Sequence, residues 1–221
     1  HLAAQLCAQL DRRDGGRPPV LACTDSWLLD ETTLASLGRS ARKGFPESYD
    51  VPAMRRSLTS VSIDGILRSP RYSHLLYDIE PDVIDEQVVG EWLVVEGLHL
   101  TRFVHDLVPV IVHLDAPDEV IERWYVRRLK SLIDRARNGE PSFYAPFTGF
   151  DDAELDDIAG AFWHEINLPN KHRYIDPLRT SADLVITVDA GHRMLDWDHM
   201  VEALAAAKPA YEPGTRHGYH A

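Results

Sequence analysis

Short, nearly continuous apolar runs alternating with helix-period segments predict an α/β fold, a mostly parallel sheet flanked by helices on both faces. Three observations carry this. Val20-Leu-Ala-Cys23, Trp92-Leu-Val-Val95, Val108-Pro-Val-Ile-Val-His-Leu114 and Ala182-Asp-Leu-Val-Ile-Thr-Val188 lack the polar alternation of strands with one wet face. Helical patterns lie between them. The strands end in acidic or loop residues, where the ligands of such sheets bind.

In chain order, Leu2, Leu6 and Leu10 recur every four residues and predict a helix over residues 1–13. The sequence as given opens inside this helix with no capping residue, so the start of the domain is expected to lie upstream. Asp14-Gly-Gly-Arg-Pro-Pro19 is turn material, and Val20–Cys23 a buried strand leading into Thr24-Asp25-Ser26-Trp27. A helix near 30–37 follows, then a loop over 38–50 and partial helix over 51–67. Residues 71–79 read as extended. A long helix is expected over 117–137, another over 152–166 and a last one over 195–207. The chain reads as one domain over 1–208, with a disordered tail over 209–221 that carries Pro209, Pro213, Gly214 and Gly218. No internal repeat or low-complexity tract is visible.

Bulk composition narrows the function. Of 221 residues, 44% are hydrophobic and 26% charged, which is ordinary for a globular protein. No apolar run approaches the roughly 20 residues of a membrane helix; the cytoplasm is the expected compartment. The formal charge of −12 argues against a nucleic-acid partner. Cys7 and Cys23 have no metal-type spacing and read as buried thiols. Eleven histidines include no HExxH or comparable ligand pattern, so no metal-binding residues are assigned.

The chemistry-bearing candidates stand just past the strands. Asp25 could accept a proton from a substrate hydroxyl or help to hold a hydrated Mg²⁺, and reads equally as a turn or cap aspartate. Glu96 closes a strand before Gly97, as a second acid near a metal or as a strand-end acid facing water. Tyr125, Arg128 and Leu132 share one face of the long helix, an arrangement that also suits a core stripe with a solvated arginine. His74, between Tyr72 and Tyr77, is the histidine that fits a substrate pocket.

Together these segments resemble the type I pantothenate kinases. Lys43-Gly-Phe-Pro-Glu-Ser-Tyr-Asp50 is similar to that family's KGFPESYD, and Tyr72-Ser-His-Leu-Leu-Tyr-Asp78 to its YSHLxYD. Glu96-Gly-Leu98, Trp124-Tyr-Val-Arg-Arg128 and Trp163-His-Glu-Ile-Asn167 resemble its EGL, WYxxR and WxEIN, in the same order, from residue 1 to about 195. The resemblance implies a P-loop kinase fold, a homodimer, and ATP- and Mg²⁺-dependent phosphorylation of pantothenate on the way to coenzyme A. It makes Asp25 the acceptor of the hydroxyl proton and Arg128 the contact to the transferring phosphate. Tyr72, His74, Tyr77, Tyr125 and Asn167 would line the pantothenate pocket, and His192 would lie beside the adenine.

Several positions depart from the family. The chain contains no G-x-x-x-x-G-K-[ST] motif, and by alignment His1 falls immediately after its Ser/Thr. A truncation that has removed the first strand and phosphate loop is expected, leaving the 221 residues inactive alone. The family arginine that contacts inhibitory coenzyme A falls at Ala4, and an aromatic of the shared pocket at Leu132, so feedback inhibition should be weakened. Segment 138–150 follows the family loosely yet keeps aromatics for a pocket wall. Two other readings are a uridine kinase- or phosphoribulokinase-like enzyme acting on another small alcohol, and a non-catalytic relative that binds coenzyme A. The second gives no reason to keep Asp25, Glu96 and Arg128 together.

Overall fold

The computed structural model describes residues 2–14 and 16–191. The expected helix over 195–207, the tail and His192 lie outside them. The elements are α1 (Leu2–Asp14), β1 (Val20–Cys23), α2 (Glu31–Ser36), α3 (Val51–Asp64), β2 (Ile66–Ser73), β3 (Asp78–Val88), β4 (Leu93–Glu96), α4 (Leu100–Val104), β5 (Val112–Asp115), α5 (Asp118–Arg137), α6 (Asp152–Phe162) and β6 (Leu184–Thr187). A helical tract runs over 163–181. No described helix is long and apolar enough to cross a membrane.

The expected parallel pairing is present. β1 pairs with β4 from Val20↔Leu93 to Cys23↔Glu96, and β5 pairs with β6 from Val112↔Leu184 to Asp115↔Thr187. The expected strand at 108–114 starts only at Val112, after Pro109. Residues 71–79 are not one extended run: Ser73 and Asp78 end two antiparallel strands joined by a turn at His74–Tyr77. Tyr77 makes that turn by adopting φ +57°, in the left-handed region. Its aromatic, strand-like neighbours mask this in the sequence.

Local signals explain the helices. α3 starts on Asp50, whose side chain accepts from the Ala53 N–H at 2.8 Å, carries Pro52 in its first turn and stops at Gly65 with φ +72°. α5 has Asp118 and Glu119 at its N-terminal end and Arg135 and Arg137 in its last turn, matching its dipole. α6 begins with a reciprocal capping pair, Asp151 and Glu154.

The principal core gathers Val20 and Ala22 of β1 with Trp27, Tyr49, Met54, Leu58, Leu67, Phe103 and Val104. The Lys43–Asp50 segment is tied to the exit of β1: Leu29 N–H donates to Ser48 at 2.8 Å, and Asp50 N–H to Trp27 at 2.8 Å. Arg55 of α3 donates to the Phe103 carbonyl of α4 at 2.7 Å and makes a two-pronged pair with Asp106, just past α4, at 2.8 and 2.6 Å.

The tightest backbone constraint lies where β1 and β4 end. Gly97 has φ +137°, and a Cβ there would stand 1.9 Å from Thr24 Oγ1. A side chain is therefore excluded by conformation and by space. Gly97→Ala is expected to destabilise the fold by roughly 3 kcal/mol or more, about 6–12 °C for a domain of this size. Thermal denaturation followed by circular dichroism checks this; a shift below about 2 °C would show that Thr24 and Gly97 can separate freely.

Candidate active site at the ends of β1 and β4

The register Cys23↔Glu96 fixes the site, because it sets the turn Thr24–Trp27 beside the residues leaving β4. Asp25 occupies that turn, largely buried. Burial raises its carboxyl above the ordinary aspartate range; His74, Arg128 and Lys43 pull it back down, and Glu96 pushes it up. Asp25 thus lies within electrostatic reach of three basic side chains and one carboxylate drawn from separate segments.

His74 and Arg128 meet directly, the guanidinium Nη2 standing 3.2 Å from imidazole Nδ1. Arginine can only donate, so Nδ1 accepts and the ring proton of the neutral imidazole sits on Nε2. Burial and then the Arg128 charge hold His74 below its ordinary value, against the pull of Asp25 and Glu96.

A wall of phenols surrounds this group. Tyr72 packs edge-on to His74, ring centres 5.2 Å apart, and Tyr77 stacks on Phe143 at 4.8 Å and meets Tyr144 at 6.4 Å. Burial raises the Tyr72 and Tyr77 phenols far above neutral pH, so both keep their protons. Segment 138–150 supplies part of the wall and is pinned to the hairpin turn by Phe143 N–H, which donates to Leu75 at 2.9 Å.

Tyr125, Arg128 and Asn167 line a cavity of about 780 Å³ with Trp124, Trp163 and Asn170, a size suited to a small organic ligand. Burial raises the Tyr125 phenol, and the neighbouring Asn167 side chain pulls the other way. Arg128 borders both the cavity and the acidic group. Asp25, Glu96, His74, Arg128, Tyr72 and Tyr77 therefore form one cluster, with Tyr125 and Asn167 on the cavity side. His192 lies outside the described residues. Leu132 packs on Leu129, Ile133 and Tyr144 in a second apolar cluster.

Two buried residues were not singled out from sequence. Lys43 puts Nζ 3.4 Å from Asp78 and 3.6 Å from Glu31, and also donates to the Tyr77 carbonyl. Asn170 lies three residues beyond Asn167, on the cavity wall. The i, i+3 spacing of the two asparagines was the available signal.

No family model matches the chain. The chain is 33% identical over 181 residues to a pantothenate kinase of Streptococcus thermophilus, covering 79% of this chain and 59% of that protein. It is 33% identical over 204 residues to a pantothenate kinase of Shouchella clausii, with 86% and 65% covered, and 35% identical over 207 residues to one of a Chelativorans species, with 86% and 64% covered. The chain thus spans about three-fifths of the length of these curated relatives. Among solved structures, D-glycerate 3-kinase of Cryptococcus neoformans superposes with a TM-score of 0.60 at 14% identity, covering 88% of this chain and 84% of that one. A Silicibacter protein assigned as a fructose transport system kinase gives 0.61 at 18%, covering 83% and 81%. The fold is that of the P-loop kinases.

The Asp25 environment has a measurable consequence. An aspartate raised above its unfolded value stabilises the fold at low pH and loses that contribution as pH rises through the folded pKa. Asp25→Asn is therefore expected to melt higher than the unmodified protein at pH 7.5, with the difference shrinking on acidification. Carboxyl-carbon NMR should find Asp25 titrating above ordinary aspartates, higher still in Arg128→Ala and lower in Glu96→Gln. Titration in the ordinary range, unmoved by either change, would show that the three groups are not coupled.

Proposed function

We propose that this chain, a homologue of the pantothenate kinases with the P-loop kinase fold, forms the acceptor side of an enzyme that transfers the γ-phosphoryl of ATP to pantothenate. The supporting observation is the convergence of Asp25, Glu96, His74 and Arg128 at the ends of β1 and β4, beside a cavity of about 780 Å³.

The chemistry follows from these groups. Asp25 accepts the proton of the acceptor hydroxyl as the oxygen attacks phosphorus. Its desolvation makes it a stronger base than a solvated aspartate, while the Arg128 and Lys43 charges favour its ionised form. Arg128 offers its remaining N–H donors to the phosphoryl oxygens, whose charge must be held in place while the bond to the leaving oxygen breaks. Tyr72, Tyr77 and Tyr125 donate hydrogen bonds and apolar surface to the acceptor, and His74 and Asn167 complete its polar contacts.

Mg²⁺ usually takes one or two carboxylates together with phosphate oxygens and water. The neighbouring acids Asp25 and Glu96 suit that pattern, with Glu96 toward the ion and Asp25 left for the hydroxyl. The ion would neutralise phosphate charge. The reaction belongs where ATP is made available, in the cytoplasm, and we extend the relatives' expected homodimer to this protein.

The protein carrying this chain should release ADP from MgATP with pantothenate faster than with uridine, cytidine or glycerate. Asp25→Asn and Arg128→Ala should each lower kcat by roughly 10²- to 10⁴-fold, with a much smaller change in KM for pantothenate. Preferred turnover of a nucleoside would sink the acceptor assignment, and a fall of less than about fivefold in either variant would remove that residue from the chemistry.

The same reading bears on regulation. Coenzyme A carries several phosphate charges, which arginine holds well through paired hydrogen bonds. Exposed Ala4 on α1 offers none. Inhibition by coenzyme A should be weak, and Ala4→Arg should tighten it by roughly 10- to 100-fold. Tight inhibition of the unmodified protein, unchanged by Ala4→Arg, would assign inhibitor contact to other residues.

A further inference from the structure

Asn170 sits in a single α-helical turn between two wider turns of the 163–181 tract, Trp163–Asn167 and Lys171–Ile175. Such wide turns recur at functional positions in helices. Asn167 and Asn170 both line the cavity, yet they are held differently. Asn167 is half-buried, and its Nδ2 donates to Phe162 at a long 3.3 Å. Asn170 is only 5% exposed, and its Nδ2 donates to the Gly44 carbonyl at 3.0 Å.

That bond orients the amide. A carbonyl can accept only from the NH₂ end, so Nδ2 must face Gly44 and Oδ1 must be the other end. His99 Nε2 stands 3.0 Å from the same carbonyl and is itself 2% exposed, which fixes the Lys43–Asp50 segment from a second side. Oδ1 is then a fixed acceptor, and it is buried with no hydrogen-bond partner among the described residues. An orphaned buried acceptor costs the fold free energy. Pinning Gly44 requires the NH₂ group alone; the unpaired, buried oxygen of a side chain that lines the cavity is what that role leaves unexplained.

We propose that Asn170 Oδ1 is a further contact to the acceptor molecule, taking a hydrogen bond from one of its donors, an alcohol O–H or an amide N–H. This rests on the acceptor reading above. An oxygen with no donor of its own repels carboxylate and carbonyl oxygens, so Asn170 also dictates which way round the acceptor lies. Its donors go toward the helical tract, and its carboxylate elsewhere. The oxygen is held rigidly by the bond on the far side of the amide, which makes the contact selective.

The experiment is a cycle between side chain and ligand. With pantothenate, Asn170→Ala should raise KM roughly 10- to 100-fold, leaving KM for ATP within about twofold. Pantothenate analogues lacking one donor at a time, by N-methylation of the amide or replacement of the second hydroxyl by hydrogen, identify the partner. Removal of the matching donor should cost the unmodified protein as much as Asn170→Ala costs with pantothenate, and should cost the variant nothing further. Asn170→Asp, which can carry a proton toward Gly44 while keeping an acceptor oxygen, should restore most of the binding lost in Asn170→Ala. The inference is overturned if Asn170→Ala leaves KM for pantothenate within twofold, or if each analogue loses the same factor in both proteins. It is also overturned if KM for ATP and for pantothenate rise together and Asn170→Asp rescues neither. Should the protein turn over uridine instead, the pantothenate assignment fails alone, and the same cycle run with deoxyuridines decides the role of Asn170.

Discussion

The site depends on the close approach of Thr24 and Gly97. β1 and β4 run parallel with Cys23 opposite Glu96, so the chain leaves both strands at one level. Two acids, Asp25 and Glu96, then come within electrostatic reach of each other. Only a residue without Cβ lets the two exits close up, since any side chain at 97 would occupy the place of Thr24 Oγ1. The Glu96 charge opposes the ionisation of Asp25 in this partly dry site. The fold answers with cations from two other segments, Lys43 from the loop before α3 and Arg128 from α5, and with the imidazole of His74 from the hairpin turn. The site is therefore an electrostatic balance that no single element contains.

That division explains what could be read from the sequence. The parallel strands, their acidic ends and the long α5 are local patterns, and they stand where periodicity puts them. Asp25, Glu96 and Arg128 were visible because each follows a pattern break: a strand end, an acid before glycine, an arginine among redundant cations. The hairpin turn was hidden because Tyr77 reaches φ +57° through tertiary support, without the Gly or Asn that marks such turns. Lys43 was visible only as part of a motif, since nothing local says that a lysine will be buried. The roles of Asn170 and His99 depend on the Gly44 carbonyl, more than fifty residues distant from either.

The hairpin turn shows how strain is held. A tyrosine in the left-handed region is disfavoured, and it persists only where its surroundings over-determine it. Lys43 donates to the Tyr77 carbonyl, lies 4.7 Å from the centre of the Tyr77 ring and pairs with Asp78. Asp78 in turn accepts the Glu31 N–H at 3.1 Å, tying the turn to the start of α2. On the other side Phe143 stacks on the same ring, and its N–H holds Leu75. The turn is gripped from both ends, so the Tyr77 phenol and the His74 imidazole are presented on a fixed backbone.

Lys43 therefore links two things that appear separate. Its side chain is 2% exposed, a costly position for an ammonium unless its partners are close. Those partners are the residues that shape the turn, and its charge also reaches Asp25, where it favours the ionised base. A neutral residue of similar length would fill the volume but leave Asp78 and Glu31 without their counter-charge, and it would let the Asp25 carboxyl rise further. Shape and ionisation state at this site are consequently coupled through one buried cation. A change that loosens the Tyr77 turn should alter the proton affinity of Asp25 even though the two residues sit on different elements.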